Sequence, residues 1–331
     1  MTDKFALATF SGADQPKAAG VVVGDRIVAL DALLGGKTGG PITANARLFD
    51  LVNNWGAALP TLEALCAGLA ERGDLPWCAV SEVTIHAPIE QSRQIFCTGA
   101  NYRTHVVHLT IDTGVGPEGL SPEELKKWAE DMMDERLANG EPYSFTKPVS
   151  TIAGPNDSLV LPANTRKPDW ELELAVIIGK GGHNISRDEA MDYVAGYSIV
   201  NDVSARDLIP REDYPQLGTD WLRAKGQPGF LPFGPYLVPA QFVADPYDLK
   251  MKLSVSGKMM QDESTADMMF DIARQIEYTS RYARLLPGDI ICTGSPAGNG
   301  THYNRFLQDG DVMVGTIEGL GTQTIRCVAA N

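Results

Sequence analysis

The sequence predicts an α+β protein, predominantly β, with a small N-terminal α/β unit ahead of a larger one. Three observations lead there. Short apolar, β-branched runs bounded by Gly, Pro and Asn recur along most of the 331 residues, and such runs read as strands. Helical periodicity is confined to a few segments. Acidic, histidine and glycine-turn motifs begin only near residue 94, so residues 1–88 read as a separate unit without catalytic character and 89–331 as the catalytic one.

In chain order, Lys4 to Phe10 reads as a strand and Ala18 to Leu30 as a hairpin turning at Gly24-Asp25. Ala46 to Asn54 and Leu59 to Arg72 read as helices. Ile85 to Ile89 is a linker strand whose His86 reads as structural. Gln94 to Gly99 is a buried strand that turns into a short helix carrying His105 and His108. Residues 109–142 form an excursion. Ser121-Pro122-Glu123-Glu124 supplies an N-cap, a proline at the first helical position and a capping-box Glu, so a helix runs to about Ala138 and stops at Asn139-Gly140. Leu125, Trp128 and Met132 are expected to face inward, and the excursion is a candidate lid. Ser186 to Tyr193 reads as a capped helix, Lys250 to Gln261 as a hairpin turning at Ser256-Gly257, and Met268 to Leu285 as an amphipathic core helix. A last hairpin closes the chain around Glu318 to Gly321.

The net charge of -14 argues against a nucleic acid or an anionic membrane as partner. An anionic substrate then needs a local positive site. Five scattered cysteines without a CxxC pattern suit reduced thiols in the cytoplasm. No apolar run reaches the ~18 residues of a membrane span.

The most informative stretch is Asp169 to Gly179. On a strand, Glu171 and Glu173 share a face, with carboxylate bases roughly 7 Å apart. Ala175 and Ile177 continue that face, so the pair is placed near an interior. Two adjacent buried carboxylates repel and are costly to desolvate, and an oxygen-loving divalent cation compensates both. Asp202, at the end of the run Tyr193 to Val203, is a candidate third ligand. The plainer alternative is a solvated strand face opposite a buried one. His105 and His108, at i and i+3, share a helix face just after a glycine turn, and histidine takes up protons near neutral pH. Lys225 enters a rigid Pro- and Gly-rich segment. Gly294, Ser295 and neighbouring backbone N–H groups form a small-residue turn suited to gripping a carboxylate.

Taken together, these segments resemble the fumarylacetoacetate hydrolase superfamily, in its acylpyruvate hydrolase and 2-hydroxyhepta-2,4-diene-1,7-dioate isomerase-like branch. The resemblance covers roughly residues 94–328. It rests on Gly99-Ala100-Asn101-Tyr102-Arg103-Thr104-His105, Glu171-Leu172-Glu173-Leu174, Asn201-Asp202-Val203-Ser204-Ala205-Arg206-Asp207, Lys225, Pro287-Gly288-Asp289 and Thr293-Gly294-Ser295-Pro296. It implies a mixed β-sandwich roll, usually a homodimer. It implies one Mg²⁺, Mn²⁺ or Ca²⁺ on Glu171, Glu173 and Asp202, and a 2-oxo or 2,4-dioxo acid substrate. Asn101, Tyr102, Arg103, Gly294 and Ser295 are expected to bind that substrate, and His105, His108 and Lys225 to be catalytic. In such members a Glu three residues after the His helps to activate water, whereas here that position is His108. The expected reaction is hydrolysis of a C–C bond. A decarboxylase, a tautomerase or isomerase, a hydratase, and a silent metal- and acid-binding member are the alternatives.

Overall fold

A computed structural model describes residues 4–13, 16–36, 40–43 and 45–330. Its centre is a mixed six-stranded sheet. In spatial order the strands are Val238–Pro239, Val194–Asn201, Leu172–Ile178, Ile290–Cys292, Ile95–Gly99 and Tyr143–Thr146. Leu172–Ile178 pairs antiparallel with both of its neighbours, and Ile290–Cys292 runs parallel to Ile95–Gly99. Every residue of Leu172–Ile178 is buried. A strand covered on both faces loses polar–apolar alternation, which is why this run reads as almost continuously apolar.

Two layers cover it. On one side Leu172, Leu174, Val176 and Ile178 pack against a second, five-stranded sheet through Met251, Leu253, Met313, Ile317 and Ile325. That sheet runs Lys258–Ser264, Lys250–Val255, Val312–Ile317, Gly321–Ala329, Leu159–Leu161. On the other side Ala175, Ile177, Ala195 and Cys292 share a core with Phe5, Leu7, Leu51, Trp55 and Leu62 of the N-terminal unit. That unit has a five-stranded sheet of its own, with a further cluster of Ala8, Phe10, Val22, Ile27 and Ile85. Its main apolar core therefore crosses the boundary expected near residue 88.

Turn chemistry places the hairpins as read. Gly24 lies at φ 63°, and Ser256 and Gly257 lie at φ 48° and 81°, a left-handed pair that matches strand twist. Two helices are shorter than expected. The segment after Ser186 makes the Ser186–Glu189 side-chain contact, but continues only as a 3-10 turn, Ala190–Tyr193. So short a segment between fixed ends cannot offset helix nucleation. The core helix is Ile272–Tyr282, because Asp271 caps it by accepting from the Arg274 N–H and the chain before it is extended at Met268 and bent at Met269 and Phe270.

The excursion holds two helices, Arg103–Thr113 and Pro122–Asn139. The Ser121–Glu124 capping box forms in both directions. Ala129 and Met133 lie at the centre of the buried face, with Trp128 and Met132 beside them, against Val106, Val107, Met269 and Phe270. Arg103 bonds Asp134, and Arg274 donates to the Leu137 and Gly140 carbonyls. The second helix is thus docked by its own small core and by polar ties. Among the described residues, no helix is long and apolar enough to cross a membrane.

Candidate active site

Glu171 sits one residue ahead of the strand Leu172–Ile178, and Asp202 one residue past the end of Val194–Asn201. The two segments are clamped together. The Glu171 N–H donates to Asn201 Oδ1 at 2.9 Å, and the Asp202 N–H donates to the Glu171 carbonyl at 2.8 Å. With Glu173 on the same strand side, three carboxylates offer oxygens that all lie within 4.8 Å of one another. All three are buried, at 6%, 2% and 1% exposure. The solvated-face alternative is therefore excluded.

Cations answer two of the three acids. Lys225 Nζ bridges Glu171 Oε2 (2.6 Å) and Asp202 Oδ2 (2.5 Å). Lys147 Nζ bonds Asp202 Oδ1 at 2.6 Å. Arg206 forks between Glu171 and Asp169, the latter at 2.8 Å. Burial alone would raise Glu171, but Arg206 and Lys225 outweigh it and hold the carboxyl well below its ordinary range. Burial would lower Lys225, and Asp202 with Glu171 hold it above its ordinary value instead.

Glu173 differs. It accepts the Gly294 N–H at 2.8 Å but enters no ion pair among the described residues. Burial, then the neighbouring charge of Asp202, push it well above the carboxylate range. With Lys147, Lys225 and Arg206 engaged by Asp169, Glu171 and Asp202, Glu173 is the acid left without a cation among the described residues, and its carboxyl holds its proton. A divalent cation on Glu171, Glu173 and Asp202 would displace that proton and leave a net positive site for an anionic substrate. The hard oxygen donors suit Mg²⁺, Mn²⁺ or Ca²⁺. The residues present fit such an ion.

His105, on the helix Arg103–Thr113, is 8% exposed. Burial lowers its pKa to about 4, against a partial opposing pull from Glu171, so the ring is neutral at neutral pH. His108 lies one turn on. Its ring stacks on His302, with centroids 4.8 Å apart and planes at 15°, and its buried Nδ1 has no partner among the described residues. Ser295 is 5% exposed, and its hydroxyl accepts from Gln261 Nε2 at 3.1 Å. Gln261 also donates to the Pro296 carbonyl and accepts the Leu172 N–H, so it ties this turn to the acidic strand.

Three residues expected at the substrate have other partners. The Asn101 amide donates to the Phe270 and Thr293 carbonyls and accepts the Phe270 N–H, which joins the helix start to the glycine turn. The Tyr102 hydroxyl faces Met251 Sδ in the core, at 3.8 Å. Arg103 is held by Asp134. Lys147, Asp169, Arg206 and Gln261 are parts of the site that sequence reasoning did not assign. Lys147 and Arg206 are cations beside a proline and after an Asp-Val-Ser turn, and their sequence settings look like ordinary solvated loops.

The structure and site define a class, and the comparisons agree. The family model for fumarylacetoacetate (FAA) hydrolase C-terminal domains matches residues 94–328, and the chain belongs to that family. Among relatives, it is 38% identical over 292 residues to the 2,4-didehydro-3-deoxy-L-rhamnonate hydrolase of Sphingomonas sp. (strain SKA58), covering 86% of this chain and 90% of that one. It is 37% identical to the Homo sapiens mitochondrial oxaloacetate tautomerase FAHD2B, over 75% of this chain and 69% of that one. A solved structure of maleylpyruvate hydrolase from Sphingobium sp. SYK-6, in complex with manganese(II) and pyruvate, superposes with TM-score 0.71 at 28% identity. That match covers 98% of this chain and all of the other.

Proposed function

We propose that this chain is a divalent-metal-dependent hydrolase that cleaves a C–C bond in a 2,4-dioxo acid. The observation that carries the reading is Glu173, a buried carboxyl with no cation among the described residues, in a cluster of three acids that lies beside a buried neutral imidazole. The manganese and pyruvate of the maleylpyruvate hydrolase structure support it. So does the Sphingomonas relative, whose named substrate carries a 2,4-didehydro, that is 2,4-dioxo, pattern.

Glu171, Glu173 and Asp202 would hold the ion, which when bound supplies Lewis-acid stabilisation of negative charge on the substrate's 2-oxo acid end. Lys225 and Lys147 fix Asp202, and Lys225 and Arg206 fix Glu171, so the acids need not reorganise on binding. Gly294 and Ser295 offer the turn against which the substrate carboxylate packs. His105, neutral and shielded from solvent, takes a proton from water as the oxygen bonds to the 4-carbonyl carbon. The 4-carbonyl re-forms, the C3–C4 bond breaks, and its electron pair leaves as the pyruvate enolate. C3 of that enolate then takes up a proton, with the protonated imidazole of His105 as the donor. Water is consumed and two acids result.

A second reading is enol–keto tautomerisation of oxaloacetate. It is favoured by His108 standing where the carboxylate partner of the base is expected, and by the likeness to the human tautomerase. We also infer a homodimer. Tyr214, Leu217 and Leu222 are 52%, 59% and 68% exposed on the segment leading to Lys225, an apolar surface that a second copy would cover. Light scattering on an eluting peak tests this. A cytoplasmic setting accords with the reduced thiols of Cys97 and Cys292.

The metal requirement is tested on chelator-stripped protein given acetylpyruvate, with products followed by NMR. Equal acetate and pyruvate on adding Mg²⁺ or Mn²⁺, and none without, is the expected result. Equal cleavage with and without metal would overturn it.

A further inference from the structure

Beyond the acids, one cluster is built and unassigned. His108 and Asp112 follow His105 at i+3 and i+7, so the three share a helix face. Against that face lies the short helix Gly300–Tyr303, which supplies His302. Asp112 Oδ2 bonds His302 Nδ1 at 2.7 Å and sets which ring nitrogen faces it. His302 in turn stacks on His108. The short helix is tied to the acidic centre, because Asp169 accepts the Gly300 N–H (2.6 Å) and the Thr301 N–H (3.3 Å) while holding Arg206, which holds Glu171. Two buried nitrogens here lack partners among the described residues, His108 Nδ1 and Nδ2 of Asn299, and Asn299 is 2% exposed. Buried polar atoms without partners are rare in folded proteins and invite a ligand group.

We propose that His108, His302 and Asp112 form the subsite for the arm of the substrate beyond its 2-oxo acid head, and that this arm is uncharged and carries hydroxyls. The inference rests on the 2-oxo acid reading above. A hydroxyl donates and accepts, so it satisfies a neutral imidazole nitrogen in either tautomer. A carboxylate would instead meet Asp112. The cations bordering the helix are engaged: Arg103 by Asp134, Arg136 by the Gly99 and Ala100 carbonyls, and Arg206 by Asp169 and Glu171. Lys126 lies 4.0 Å from Glu130. Lys258, over the Tyr303 ring, is the cation that would serve a charged arm instead.

The test is equilibrium binding to the Mn²⁺-loaded protein, using 2-oxo acids of equal chain length that lack a 4-oxo group. These bind whether or not the enzyme cleaves dioxo acids. The ligands are 2-oxo-3-deoxygluconate, 2-oxohexanoate and 2-oxoadipate. Expected is about tenfold tighter binding of the hydroxylated acid, the size of one good hydrogen bond. That gain is lost in Asp112→Asn and His302→Ala, with 2-oxohexanoate unaffected. Tightest binding of 2-oxoadipate, weakened by Lys258→Ala, would overturn the proposal. So would equal affinities in the wild type, or equal weakening of all three ligands in both variants. Failure of every acid to bind would remove the underlying reading along with it.

Discussion

His105 holds a neutral imidazole in a site crowded with charge. Its pKa, lowered to about 4, lies below the ordinary ~6.5, so the unfolded chain binds the extra proton first on acidification. The stability contributed by a neutral His105 is full above pH ~6.5 and is lost as pH falls towards 4. The loss amounts to about 3 kcal/mol at one pKa unit per 1.36 kcal/mol. Denaturant melts of metal-free protein across that window, set against His105→Gln, should show the difference shrinking as pH falls. His105→Ala should reduce kcat by ~10²–10⁴ while leaving Mn²⁺ affinity in place, measured by initial rates and calorimetry. Glu173→Gln should behave in the opposite sense. Without metal its melting temperature should match that of the wild type, because the amide replaces a carboxyl that burial already holds neutral. The rise on adding Mn²⁺, which should amount to several degrees in the wild type, should vanish, and thermal denaturation with and without ion reads both.

The helix Gly300–Tyr303 is held by a contact that tolerates no side chain at its first residue. A Cβ at position 300 would lie 2.6 Å from Asp169 Oδ1 and 2.2 Å from the Arg305 carbonyl. Gly300→Ala should therefore displace Asp169, loosen Arg206 and cost roughly 1–3 kcal/mol of stability by overpacking, seen as a lower denaturant midpoint. Nothing in the sequence marks this helix, since four residues have no periodicity and Asn299 looks like any loop asparagine. The long capped helix from Pro122 was legible because its signals are local: Ser, Pro and Glu at fixed offsets. The segment after Ser186 carried the Ser and Glu of a capping box without the proline, and its length and fixed ends decided otherwise. Glu171, Glu173 and Asp202 were legible as a candidate ligand set because charge on an apolar strand is costly enough to need a reason. Lys147 and Arg206 were not, because a cation in a loop needs none until its partner's position is known.

Across the whole molecule, burial of the central sheet on both sides converts these local features into a site. The Leu172-to-Ile178 run was readable as a strand, but the layer covering Ala175 and Ile177 comes from residues that looked like a separate unit. Sequence patterns report which face is apolar and not what packs on it, so the shared core emerged only in three dimensions. Asn101, Tyr102 and Arg103 carry the same lesson. Their motif was visible, yet their polar atoms join the helix start to Phe270, Thr293, Met251 and Asp134. Metal-assisted C–C hydrolysis is the reaction proposed for this site, supported by the three buried acids and the neutral His105, with enol–keto exchange as its competitor. The decisive comparison is made on one preparation of Mn²⁺-loaded protein. It sets kcat/KM for acetylpyruvate cleavage, read as acetate and pyruvate by NMR, against kcat/KM for oxaloacetate tautomerisation, read as loss of enol absorbance. Cleavage is expected to dominate, and to collapse in His105→Ala. Fast tautomerisation with no acetate formed would contradict metal-assisted hydrolysis.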